Sequence, residues 1–233
     1  MSIFRGIDAI RACVDMVENA GLLSDLNESV NLPFNYVSQA RGLPYLKYWE
    51  LYKRNFWYHI KLKDDGLILF EEKSFRYIMS PISIPTVDEF ATSELGDVWD
   101  LFSIDEKNEY IQSQCCKNSY ESYIETVSDY KSVTPIRLDQ HPEQYKPIHH
   151  PAHHLHIGYE NDSRIPVKRI LTPLAFTSFV LSTFYPKGWL KLHDDGHINA
   201  ETICDLKVRL PMVAHENQEN WHNDWEEKRL YLS

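Results

Sequence analysis

Apolar positions recur at helical spacing near the start of the chain. Ile3, Ile7, Ile10, Val14 and Val17 share one side of a 3.6-residue repeat, and Gly21 supplies a C-terminal stop. The spacing predicts an amphipathic helix over residues 3–20. Residues 24–44 are polar and broken by Pro33, Gly42 and Pro44. The period then changes to two. Phe56, Tyr58, Ile60 and Leu62 alternate, Asp64-Asp65-Gly66 marks a turn, and 67–70 continues apolar. This is a hairpin pattern, which residues 75–79 extend to a third strand.

Thr86 followed by Glu89 is a capping-box start for a short helix over 86–95. Residues 105–127 carry Tyr110, Ile111, Gln114, Tyr120, Tyr123, Ile124 and Val127 as an imperfect helical stripe. Two strands are predicted at 135–140 and 153–159, joined by a linker holding Pro142, Pro147 and Pro151. Thr172-Pro173 suits an N-cap and first helical position for an apolar helix over 173–185, which Pro186 ends. Asp194-Asp195-Gly196 predicts a turn within 191–199, residues 214–229 a polar tryptophan-bearing helix, and 229–232 a last strand. Strands group together and do not alternate regularly with helices. The fold class predicted is therefore α+β, a largely antiparallel sheet flanked by helices. The length of 233 residues suits a single domain over 1–233, with a subdivision near 130 as the alternative.

Composition narrows the function classes. Apolar residues make up 43% of the chain and aromatics 13%, which is the profile of an ordered globular protein. Only 8 glycines are present, with neither a G-x-x-x-x-G-K-[ST] nor a G-x-G-x-x-G pattern, which argues against a glycine-rich phosphate cradle. No apolar run approaches the roughly 18 residues of a membrane helix. The charged start lacks a small-residue cleavage site, so a cytoplasmic protein with no membrane partner is expected. The net charge of −10 weighs against a broad nucleic-acid-binding coat. It is unevenly spread: residues 88–131 hold eleven acids against three lysines, whereas residues 137–191 hold seven Lys/Arg against four acids. The acidic block is the expected protein-partner surface, and the basic block is where nucleic acid would dock. Adjacent Cys115-Cys116 would suit a metal or redox pair, although free cysteine is more often a small buried apolar residue.

The basic block contains the densest chemistry. Five of the eleven histidines, His149, His150, His153, His154 and His156, fall in eight positions. Imidazole titrates near neutrality and is the commonest metal ligand. Alternation along a strand makes His154 and His156 project together, with Leu155 and Ile157 facing the core and His153 on the core side or at the strand start. Arg137 and Asp139 share a face of the preceding strand by the same rule. If the two strands pair in a suitable register, Arg137, Asp139, His154 and His156 meet. Asp139, His154 and His156 would then hold Zn²⁺, Mn²⁺ or Mg²⁺, or the histidines would act as general acid and base, with Arg137 stabilising phosphoryl charge. Gly158 would allow close backbone approach.

His149 and His150 lie in a proline-flanked loop and are read as exposed or substrate-approaching. Arg76 and Tyr77 would reach a phosphate if their strand neighbours the histidine strand, and Arg164, Lys168 and Arg169 would contact a polyanion backbone. His193, Asp194, Asp195 and His197 would add ligands, or simply form a turn. Trp221, His222 and Trp225 read as packing residues.

The run His150-Pro151-Ala152-His153-His154-Leu155-His156-Ile157-Gly158, with Arg164-Ile165-Pro166 and Phe184-Tyr185-Pro186, resembles the family filed as domain of unknown function 2290. Ser74-Phe75-Arg76-Tyr77 and Arg137-Leu138-Asp139 fit the same pattern. The resemblance implies a bacterial intracellular protein and transfers no activity. The chain is also similar in style to small nuclease effectors of toxin or phage-defence systems. The expectation is a nuclease or phosphodiesterase, metal-dependent or using histidine acid–base chemistry. The rivals are a non-catalytic adaptor or antitoxin-like subunit, and a nucleotide-sensing domain.

Overall fold

A computed structural model describes residues 6–83, 85–126, 130–213, 220–221, 225–228 and 231–232. Ile3, Val127, His222 and most of the C-terminal segment expected to be helix and strand lie outside the described residues. Two compact units form, one from Met1–Ser80 with Val133–Ser233 and one from Pro81–Ser132.

The larger unit is built on a seven-stranded antiparallel meander in sequence order. Its strands are β1 (Leu23–Leu26), β2 (Ile60–Leu62), β3 (Leu67–Phe70), β4 (Ser74–Ile78), β5 (Ile136–Gln140), β6 (His153–Ile157) and β7 (Ile165–Pro166). The α+β class and the antiparallel sheet agree with the alternating patterns. The β2–β3 turn forms as expected, with Asp65 at φ 62° and the Gly66 amide donating to Asp64 Oδ1 over 3.0 Å.

One sheet face carries Ile60, Leu62, Ile68, Phe70, Phe75, Tyr77, Ile136, Leu138 and Leu155, all buried. Helix α1 (Gly6–Asn19) covers it with Ile10, Cys13, Val14 and Val17, and helix α8 (Pro173–Phe184) with Phe176, Val180 and Leu181. Gly21 stops α1 at φ 75°, a backbone conformation that costs glycine little. Thr172 caps α8 by accepting the Ala175 amide, with Pro173 at the first helical position.

The other face is covered over β3 and β4 by elements that residues 24–55 did not announce as periodic segments. These are α2 (Tyr36–Ala40) and α3 (Tyr45–Arg54). Trp49 Nε1 of α3 donates to the Asp65 carbonyl at 2.9 Å, and the Tyr45 hydroxyl donates to the Met79 carbonyl at 2.6 Å. α9 (Pro186–Asp194) and α10 (Ala200–Lys207) were also unanticipated. The Asp194-Asp195-Gly196 turn forms, but as the end of α9, with Gly196 at φ 75°.

The smaller unit, in the β4–β5 connection, is helical: α4 (Val87–Leu95), α5 (Asp97–Leu101), α6 (Ile104–Gln112) and α7 (Gln114–Thr126). The Thr86–Glu89 capping box forms. The expected helix over 105–127 is two helices, because Ser113 turns extended and ends α6. Leu101 and Ile104 are 82% and 72% exposed. Among the described residues no helix is long and apolar enough to cross a membrane.

Leu138 is central to the α1–sheet–α8 layer and fully enclosed. Leu138→Ala should lower the unfolding free energy by about 2–5 kcal/mol in a denaturant titration. A smaller loss would mean that α1 and α8 do not close over β5 as described.

Candidate metal centre

Five consecutive antiparallel pairs join β5 to β6, setting Arg137 opposite His156 and Asp139 opposite His154. β4 lies on the far side of β5, with Ser74 opposite Asp139 and Arg76 opposite Arg137. Two polar rows therefore cross three strands on the face away from α1 and α8: Ser74–Asp139–His154 and Arg76–Arg137–His156. A strand slip of one residue would put each row into the core, so apolar alternation on the opposite face holds the site in register.

Asp139 is the hub. Its Oδ2 lies 3.2 Å from His156 Nε2, 3.9 Å from His154 Nε2 and 3.0 Å from Arg137 Nε, and its Oδ1 accepts from Ser74 Oγ at 3.0 Å. The Arg137 contact is an ion pair without an aligned hydrogen bond, since Nε has no hydrogen-bond partner. Burial alone would raise the Asp139 pKa. The His156 hydrogen bond and the Arg137 guanidinium outweigh it and hold the carboxyl well below the usual carboxylate range.

His154 and His156 are 2% and 5% exposed, with ring centroids 4.7 Å apart. His154 Nδ1 lies 2.9 Å from the Pro151 carbonyl oxygen. A carbonyl can only accept, so His154 carries a proton on Nδ1. Burial lowers the His154 pKa to about 4, so the ring is neutral at pH 7 and Nε2 is a bare lone pair. His156 Nδ1 is buried without a hydrogen-bond partner. One ligating atom from each of Asp139, His154 and His156 lies within 4.8 Å of the other two.

The remaining expected residues divide. His150 packs its ring on His154 at 4.8 Å between centroids, closer to the site than a substrate-approaching loop residue, while His149 is exposed. Burial and then Arg164 lower the His150 pKa. His153 is buried on the core side opposite Gln140, as alternation requires. Ile157 is not a core residue but 37% exposed, because β6 ends there and Gly158 turns the chain at φ 92°. Arg76 occupies the row beside Arg137, held by Glu71 at 2.8 Å, with Glu71 also bonded by the Tyr36 hydroxyl.

Tyr77 corrects its expectation. Its side chain is buried on the α8 side, where the hydroxyl bonds Tyr185 at 2.8 Å, although the residue also borders the cleft beside the histidines. Lys168 is likewise not free for a polyanion, because it is bound by Glu227 at 2.8 Å and sits over the Tyr231 ring. Arg169 donates to the Val208 and Leu210 carbonyls, and Arg164 stays beside Asp162. His193 and Asp194 are exposed at the end of α9, and neither they nor Cys115 and Cys116 join a metal-ligating group among the described residues.

A cleft of about 240 Å³ opens beside the centre, lined in part by Tyr48, Tyr52, Arg76, Arg137, His156 and Tyr159. Arg137 and His156 belong to both cleft and centre. The tyrosines escaped the sequence reading, although Tyr45, Tyr48 and Tyr52 stand at i, i+3 and i+7, a helical stripe. Ser74 was equally legible, two residues before Arg76 on the same strand face.

A family model described as an uncharacterized conserved protein (DUF2290) matches residues 27–225, and the chain belongs to that family. No curated protein and no solved structure gives a match.

Burial holds His59, His153 and His154 at pKa values of about 4. Unfolded imidazole titrates near 6.5, so between those values the unfolded chain binds protons that the folded one does not. Stability should be level above about pH 6.5 and should fall toward pH 4, by up to about 1.4 kcal/mol per pH unit for each histidine. Below about pH 4 the unfolded chain also takes up a proton at Asp139 that the folded carboxylate refuses, which adds a further loss. Denaturant midpoints measured from pH 8 to 4 check this, and constant midpoints would contradict it.

Proposed function

We propose that this member of the DUF2290 family is a divalent-metal phosphodiesterase acting on nucleic-acid phosphate. Asp139, His154 and His156 would be the ligands, with the ion displacing the Nε2 proton that His156 gives to Asp139 and leaving the ring protonated at Nδ1, and Arg137 would neutralise phosphoryl charge. The observation that carries the reading is the orientation of His154. With its proton committed to Pro151, its Nε2 is left as an acceptor 3.9 Å from an Asp139 carboxylate oxygen, acceptor beside acceptor. A cation resolves that conflict. Ligand atoms about 2.1 Å from a tetrahedral ion lie roughly 3.4 Å apart. The contacts of 3.2 and 3.9 Å bracket that value. The Pro151 carbonyl behind His154 is the kind of outer partner that orients metal-binding imidazoles. Two imidazoles and one carboxylate favour Zn²⁺ or Mn²⁺ over Mg²⁺, which prefers oxygen ligands.

The ion would supply Lewis acidity toward a phosphoryl oxygen and a nucleophile at neutral pH. An ion held by Asp139 would compete with Arg137 for the same carboxylate. Ion binding would weaken the Arg137–Asp139 pair and free a guanidinium that already lines the cleft and donates no hydrogen bond to the described residues. Its planar donor fork suits two phosphoryl oxygens at once.

The second reading, a non-catalytic adaptor, is favoured by the acidic helical unit with Leu101 and Ile104 exposed. Incubating the purified protein with RNA and DNA, with and without Mn²⁺, Zn²⁺ or Mg²⁺, separates the two. The phosphodiesterase reading expects metal-dependent cleavage. His156→Ala should reduce it by more than about 100-fold, since loss of outer-shell partners alone costs 10–100-fold. Arg137→Ala should cut kcat by about 10²–10³-fold while tightening metal binding, because it removes the competing charge. No cleavage with any ion, or equal cleavage by His156→Ala, would leave the adaptor reading in place.

A further inference from the structure

The cleft next to the histidines has its own chemistry. Along its floor run Arg76 and Arg137, adjacent across the β4–β5 pair. Glu71 takes the Arg76 Nε, and Asp139 sits beside the Arg137 Nε. Arg76 also donates to the Tyr36 hydroxyl, whereas the Arg137 guanidinium makes no hydrogen bond to the described residues. Two fixed forks side by side suit the oxygens of one phosphate group. The wall is aromatic. Tyr48 and Tyr159 are half-buried with ring centroids 5.0 Å apart, and Tyr52 packs behind Tyr48 at 4.6 Å. The Tyr159 hydroxyl donates to the Leu43 carbonyl at 2.6 Å, and the Gly42 amide donates to Glu160 at 2.9 Å. Those two bonds hold the wall in place before any ligand arrives, so little ordering entropy opposes binding.

Size and charge restrict what enters. At about 240 Å³ the cleft is slightly below the usual ligand-pocket range of about 300–1,000 Å³, which admits one nucleotide-sized group but not a paired helix. Beyond Arg76 and Arg137, Arg41 is the third arginine in the cleft lining. Lys168 and Arg169 are spent on Glu227 and on backbone carbonyls, and the chain carries a net charge of −10. Affinity for an extended strand needs many phosphate contacts, and that net charge weighs against them.

We propose that the cleft binds a single nucleotide unit, with its phosphate on Arg76 and Arg137 and its base against Tyr48 and Tyr159. The substrate is then a free nucleotide ester or the end of an unpaired strand. Base stacking is sequence-tolerant, so the cleft discriminates by size and by access to an end. This deepens the phosphodiesterase reading and rests on it only for what happens to the bound phosphate.

Calorimetric titrations in EDTA test the cleft apart from the metal, using AMP, inorganic phosphate, a linear single-stranded hexanucleotide, a circular single strand and a blunt duplex. AMP should bind roughly tenfold to hundredfold more tightly than phosphate. Arg137→Gln should weaken both by about tenfold or more. Tyr48→Leu should weaken AMP by roughly tenfold and leave phosphate unchanged, with Tyr159→Leu as the second variant if Tyr48→Leu lowers the melting temperature. Binding of the linear strand but not the circle identifies a strand end as the ligand, and binding of AMP alone identifies a free nucleotide. AMP no tighter than phosphate, or circle and duplex binding as well as AMP, would overturn the proposal. AMP binding without metal-dependent cleavage would keep this inference and remove the phosphodiesterase reading. Metal-dependent cleavage without AMP binding would do the reverse.

Discussion

Pairing of β5 with β6 is the constraint on which the site depends. Side chains on a strand alternate, so the register that seats Leu138 and Leu155 between α1 and α8 also sets Asp139 against His154 and Arg137 against His156. Apolar burial on one face thus does the positioning for polar groups on the other. The polar groups need not stabilise the fold themselves. They must only be satisfied well enough not to oppose it.

Asp139 shows how that condition is met. A partly buried carboxylate is costly alone, yet here it accepts from Ser74 and His156 and lies beside Arg137. One strand row to the side, Arg76 is balanced by Glu71. The compensation is incomplete at particular atoms: His154 Nε2 faces an acceptor, and His156 Nδ1 has no partner. Buried polar groups are normally paired, and departures from the rule concentrate where a protein does chemistry. His150 and His153 also bury an unpartnered Nδ1, so what sets the site apart is two imidazoles converging on one carboxylate.

Legibility followed the physics of each signal. Capping at Thr86 and Thr172, the Gly21 stop and the Asp64–Gly66 turn are local, and all formed as expected. Strand alternation named the four residues of the centre, because period-two patterning fixes faces without knowledge of neighbours. α2, α3, α9 and α10 were missed. Their boundaries lie among prolines, glycines and mixed polar residues, and tertiary packing stabilises them more than propensity does. The same non-local packing misplaced Tyr77, whose face follows from β4 parity relative to the α8 layer. It also misplaced Lys168 and Arg169, whose partners stand about 40 to 60 residues along the chain.

By itself the sequence determined the α+β class, the strand faces and the concentration of histidines beside an arginine and an aspartate. These follow from period, capping and composition, which act over a few residues. The tertiary structure decided the strand register, the neutral burial of His154, the contact of Arg137 with the Asp139 carboxylate and the tyrosine wall of the cleft. Each of those depends on which distant segments share a sheet face, and that is chosen by burying the opposite face.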